Sequence, residues 1–172
     1  MNTSKWFERK FDFSFGADEY AAIYQRLQQA PDILTALLRN IPDPILSHQP
    51  DGKWSAKEHT GHLSILEPLW RNRIQDIMEK KPVLTPTDLD NKGTSEAGFN
   101  EYSITELLRK FGEERRATLS LLDSINVQND SHTSLHPRLQ QPMRMLDIVY
   151  FTVEHDDHHI AVIRELISSN PL

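Results

Sequence analysis

His155 and His159 lie four residues apart inside an apolar-periodic run near the C-terminus. On a helix that spacing stacks two imidazoles on one face, one turn apart. Two imidazoles so placed can hold a divalent transition metal. A third histidine, His62, stands in a second amphipathic run far earlier in the chain. Three neutral nitrogens from two packed helices leave a position open for water, which is the layout of a reactive zinc site rather than a structural one. The competing reading is that buried histidines satisfy one another, or a carboxylate, through hydrogen bonds and bind no metal.

The neighbours of these residues carry further expectations. His59 precedes His62 by three residues and shares its face, so it either replaces His62 or supports it. His158, next to His159, points elsewhere on the helix and reads as a core or rim residue. Glu154, Asp156 and Asp157 are candidates for fixing an imidazole tautomer from outside the ligand set, or else simply meet solvent. His132 and His136 fall in a polar loop and read as solvated, with His136-Pro137 placed to overhang the end of the fold. Trp54, Trp70 and Tyr150 read as core. Other chemistries find no residues here: the chain has no cysteine, no glycine-rich phosphate loop and no Gly-x-Ser-x-Gly elbow. The pair of Glu-x-x-His motifs that a di-iron bundle needs is also missing.

The elements that must position the histidines are helical. Glycine is scarce, at six residues, and hairpin dipeptides are nearly absent, which favours an all-α fold. A first helical stretch covers about 18–29. Pro31 then suits the start of a second stretch ending near Asn40, giving one broken helix or two short ones. Ser55-Ala56-Lys57-Glu58 and Ser103-Ile104-Thr105-Glu106 are capping boxes that open two more helices. The first of these carries His59 and His62, with a kink expected at Pro68. The second has a charged middle, Glu113 to Arg116, that reads as a solvent face. Pro142 marks the start of a last helix that is apolar on two sides and therefore mostly buried. Long polar connections, 83–102 and 126–141, join the helices. The expected architecture is one domain over residues 1–172, an antiparallel four-helix bundle with long crossovers. Residues 1–16, rich in Phe and Trp, form an arm that docks on the bundle or on a neighbour.

The formal net charge of −6 argues against nucleic-acid binding, which needs a basic surface. No apolar run reaches the length of a membrane span and no signal peptide opens the chain, so the cytoplasm is the expected location.

The stretch from Lys53 to Leu63, with Trp54, Ser55, Glu58 and His62, resembles the W-S-x-x-E…H-L segment of the DinB-like superfamily. His155-Asp156-Asp157-His158-His159 resembles its last-helix His-x3-His. The stretch from His136 to Ile160 is similar to the YfiT-type metal-dependent hydrolases and bacillithiol transferases of that superfamily. One departure is Gly61, where the YfiT-type members carry a second histidine, which bears on the pocket rather than on the ligand. The resemblance implies a bundle that holds Zn²⁺ or Ni²⁺ through His62, His155 and His159. It further implies a hydrolase or a thiol S-transferase acting on a small molecule, with a low-molecular-weight thiol as possible co-substrate, and a homodimer. The alternative function is a non-catalytic, stress-responsive metal-binding bundle.

Overall fold

The computed structural model describes residues 6–129 and 131–169 of the 172. Four long helices dominate: α1 (Tyr20–Leu38), α2 (Ala56–Met78), α3 (Ile104–Asp123) and α4 (Met145–Ser168). Short helical turns join them, with one small hairpin, β1 (Ser134–Leu135) against β2 (Pro142–Met143). Both capping boxes form. The Ser55 hydroxyl accepts from the Glu58 amide while the Glu58 carboxylate accepts from the Ser55 amide, and Ser103 with Glu106 repeats the exchange.

Each helix packs on two others. α1 and α2 are diagonal, and each touches both α3 and α4. Tyr24, near the start of α1, donates to Asp123 at the end of α3, so that pair runs antiparallel. α2 and α4 are antiparallel too: His59 faces His159, and Trp70 faces Phe151. α2 and α3 run in the same direction, since Leu63 and Phe111 share one apolar cluster while Ile74 and Leu122, further along both helices, share another. Consecutive parallel helices require a connection that returns along the bundle. The segment between Met78 and Ile104 is that crossover, and it brings the turns Lys92–Ser95 and Phe99–Glu101 back beside the start of α2.

Three sequence expectations change. α1 is not broken at Pro31; it is continuous, with Pro31 inside it. Proline removes the amide that would bond the Leu27 carbonyl. Arg115 Nη1 supplies the missing donor, 2.7 Å from that oxygen, so the helix continues. Arg115 itself is not on a solvent face. It is 1% exposed and bridges Glu67 at 2.6 Å and Asp156 at 2.7 Å, both equally buried. Pro142 does not open the last helix but sits in β2, while Arg144 caps α4. A two-residue edge strand tolerates proline because it loses little ladder bonding.

The ionic layer divides the core. One apolar cluster holds Leu27, Trp70, Leu122 and Phe151; the other holds Ala30, Leu63, Phe111 and Ile160. Glu67, Arg115 and Asp156 fall between the two along their helices. The described part of the N-terminal arm docks on its own bundle: Phe11 is buried, Phe13 and Phe15 pack on Tyr150, and Arg9 pairs with Glu154. Residues 1–5 of that arm lie outside the described residues. Among the described residues, no helix is long and apolar enough to cross a membrane.

Gly61 has a packing role. A Cβ there would lie 2.4 Å from the Phe99 ring, and Phe99 is buried. Gly61→Ala is therefore expected to lower stability by up to about 2 kcal/mol, because overpacking (about 1–3 kcal/mol) outweighs the gain in helix propensity (about 1 kcal/mol). The sign decides: a denaturant midpoint equal to or above wild type would mean that Phe99 yields freely.

Candidate metal centre

α2 and α4 meet at the histidines. His62, His155 and His159 are all buried, and one nitrogen from each lies within 4.8 Å of the others. His155 Nε2 and His159 Nε2 approach to 3.1 Å. Two nitrogens on a tetrahedral zinc at its usual bond length are roughly 3.3 Å apart, so the spacing suits a shared ion. The ring centroids of His62 lie 5.3 Å from His155 and 4.8 Å from His159.

The remaining nitrogens show which atom each ring offers. His62 Nδ1 pairs with Thr94 Oγ1 at 2.8 Å, leaving Nε2 free. Thr94 comes from the crossover, so that segment orients the His62 ring. His159 Nδ1 lies 2.8 Å from His59 Nδ1. If His159 presents Nε2 to an ion, its Nδ1–H donates to His59. The sequence reads His59 as a substitute or support for His62; the structure shows it bonded to His159 instead. His155 Nδ1 is buried without a partner.

None of the three acidic neighbours bonds to an imidazole among the described residues. Asp156 is tied to Arg115, Glu154 to Arg9 and Arg26, and Asp157 to Arg26. His158 is half-buried at the cavity wall, its ring 5.6 Å from Trp6.

The centre opens onto a cavity of about 480 Å³. Trp54, half-buried rather than core, lines it with its ring 4.8 Å from His62, and Trp70, a core residue as expected, also lines it 5.4 Å from His155. Trp6 of the arm closes another side, 5.1 Å from His155. His136 is not solvated: it is 1% exposed and also lines the cavity. The hairpin, which carries no strong sequence signal, buries it. Gly61, by contrast, is spent on Phe99 and lies away from the cavity lining.

Burial keeps the imidazoles neutral, as metal binding requires. It lowers His59 to about 4 and His62 to about 3, with neighbouring histidines adding to the effect. His155 and His159 are pushed well below the usual value by the same cause. His136 is lowered to about 3 by burial, then by Arg73 and Arg138. Unfolded histidines protonate near 6.5 and these folded ones do not, so the unfolded state takes up protons first. Their stabilising contribution is present above about pH 6.5 and is lost as pH falls toward 4. Asp156, raised to about 6 by burial, opposes this between about 6 and 4, but it is one group against several. The metal-free protein is thus expected to lose stability steadily from pH 7 to 4.5 in denaturant titrations. A flat profile would show that these rings titrate freely in the folded state.

Among solved structures, the chain is similar to YfiT from Bacillus subtilis, described as a probable metal-dependent hydrolase with an unusual four-helix bundle topology. The TM-score is 0.79 at 22% identity, covering 94% of this chain and 93% of that one. Comparison with curated proteins finds no match. A family profile for the DinB superfamily matches residues 26–163, which span α2, α3 and nearly all of the helix bearing His155 and His159. The chain belongs to the DinB superfamily.

Proposed function

We propose that the protein is a metal-dependent enzyme, a hydrolase or thiol S-transferase, in which His62, His155 and His159 hold one divalent ion such as Zn²⁺ or Ni²⁺. The observation that carries the reading is the approach of three neutral, buried imidazoles from two helices, with outer partners at Thr94 and His59. The description of YfiT points to the same class of activity. An ion held by three neutral ligands supplies Lewis acidity that activates water or a thiol as nucleophile.

The chain's own residues do the rest. Thr94 and His59 hold the ligand rings in place. Trp6, Trp54 and Trp70 exclude bulk water from the cavity and offer flat apolar walls to a small substrate. His158, neutral and facing the same space, is placed to accept a proton from an incoming nucleophile. The chain is further proposed to act as a single domain, in the cytoplasm and as a homodimer, the last checked by sedimentation.

The test is metal content followed by turnover. Protein purified under metal-replete conditions is expected to carry about one ion per chain. It is expected to hydrolyse activated esters, or to conjugate a low-molecular-weight thiol to chlorinated or epoxide acceptors, with activity removed by chelation and restored by zinc or nickel. A metal-free protein under those conditions overturns the proposal. A firmly bound ion with no turnover in either assay favours the alternative, a non-catalytic metal-binding bundle.

A further inference from the structure

Trp70, Arg73, His136 and Arg138 line one wall of the cavity, and each holds a buried nitrogen without a partner that is a donor. Arg73, 1% exposed, uses Nε to bond the Thr85 carbonyl at 3.0 Å, but its Nη2 is buried without an acceptor. Trp70 Nε1 and Arg138 Nη2 are likewise buried and unmatched. His136 completes the set. Its Nδ1 accepts from the backbone amides of Arg138 and Leu139, each at 3.2 Å. A nitrogen that accepts carries no proton, so the neutral ring bears its hydrogen on Nε2, which is also buried and unpartnered.

These donors come from two separate elements, α2 and the β1–β2 hairpin, yet they share neighbours. The Arg73 guanidinium lies 5.4 Å from the Trp70 ring. Phe151 packs 5.2 Å from His136, 6.0 Å from Trp70 and 5.9 Å from the Arg138 guanidinium. Neither arginine forms an ion pair among the described residues. Asp76, the carboxylate near Arg73, is committed to Lys81 and Thr85. The carboxylates that line the cavity, Asp88 and Glu165, are exposed. Buried guanidinium nitrogens without acceptors are costly, and native structures rarely leave them so without a reason. Two cations and two neutral donors, with no carboxylate paired to either cation among the described residues, match one ligand chemistry.

We infer that this wall is a binding site for an anionic oxygen group, a carboxylate or a phosphate, carried by the substrate. Trp70 lies between the two ends of the cavity: its ring is 5.4 Å from the His155 ring and 5.4 Å from the Arg73 guanidinium. The substrate is then an anion whose reactive atom sits about one indole width from its charged group. This last step rests on the metal-centre reading; the anion site itself does not.

The experiment titrates metal-free and zinc-loaded protein, in chloride-free buffer, with phenylacetate, phenyl phosphate and neutral phenylacetamide. Binding is read by calorimetry and tryptophan fluorescence. The better of the two anions is expected to bind about tenfold or more tightly than the amide, and their order identifies the group. Arg138→Gln is expected to abolish the preference and Trp70→Phe to weaken anion binding several-fold, with zinc affinity unchanged in both. Equal binding of anion and amide by wild type, or a preference that survives Arg138→Gln, overturns the inference. Selectivity for anions in a protein that takes up no zinc would sink the metal centre alone. Zinc uptake without that selectivity would sink the anion site alone.

Discussion

Replacing His155 by alanine is expected to weaken zinc or nickel binding by more than about a hundredfold, while His59→Ala weakens it by about 10–100-fold. The ranking follows from position. His155 directs Nε2 at the centre, 3.1 Å from that of His159, and its loss leaves two ligands. His59 touches only the far nitrogen of His159, and losses of such outer partners typically cost about 10–100-fold. Competition against a chelator of known affinity measures both. The same series has a stability readout: an ion bound only by the folded state contributes about 2.7 kcal/mol at a free concentration one hundred times Kd. Chelation should therefore lower the melting temperature of wild type by several degrees and leave His155→Ala unmoved. Equal metal affinity in wild type and His155→Ala would remove this residue from the ligand set.

The second large effect concerns the ionic layer. Arg115→Met is expected to cost about 3–5 kcal/mol, the usual result of removing one partner from a buried charge cluster. Glu67 and Asp156 would keep their burial and lose the guanidinium that lies 2.6 and 2.7 Å away. The Leu27 carbonyl would lose its donor as well. That last loss can be isolated, because Pro31→Ala returns an amide four residues along. The double variant should recover about 1 kcal/mol more than Pro31→Ala gains in the wild-type background. Denaturant melts of the four proteins give the coupling. A coupling of zero would show that Arg115 does not stand in for the missing helical bond.

Local features were legible in the sequence and long-range ones were not. The capping boxes at Ser55 and Ser103 and the four-residue step from His155 to His159 depend on residues within one turn of each other, and all appear as expected. Arg115 was misread because a run of charges suggests solvent. Its phase carried the signal: Leu107, Phe111, Arg115, Thr118 and Leu122 are the buried stripe of α3. Glu67 and Asp156 fall in phase with the buried faces of their own helices too. Pro31 could not be read correctly without Arg115, since the compensating donor comes from another helix. The inward turn of His136 depends on a hairpin of two-residue strands and on Arg138 and Leu139 fixing its ring. The resemblance pointed to the family, and the pairing of His59 with His159 needed coordinates.

The tryptophan at position 6 belongs to the arm rather than to a long helix of the bundle, yet it stands against His155 and His158. A strap of this kind is held by ring contacts with Phe11 and Phe151 rather than by the backbone ladder of a long helix. Substitutions there can reshape what the cavity admits while the four rods and their histidines stay as they are.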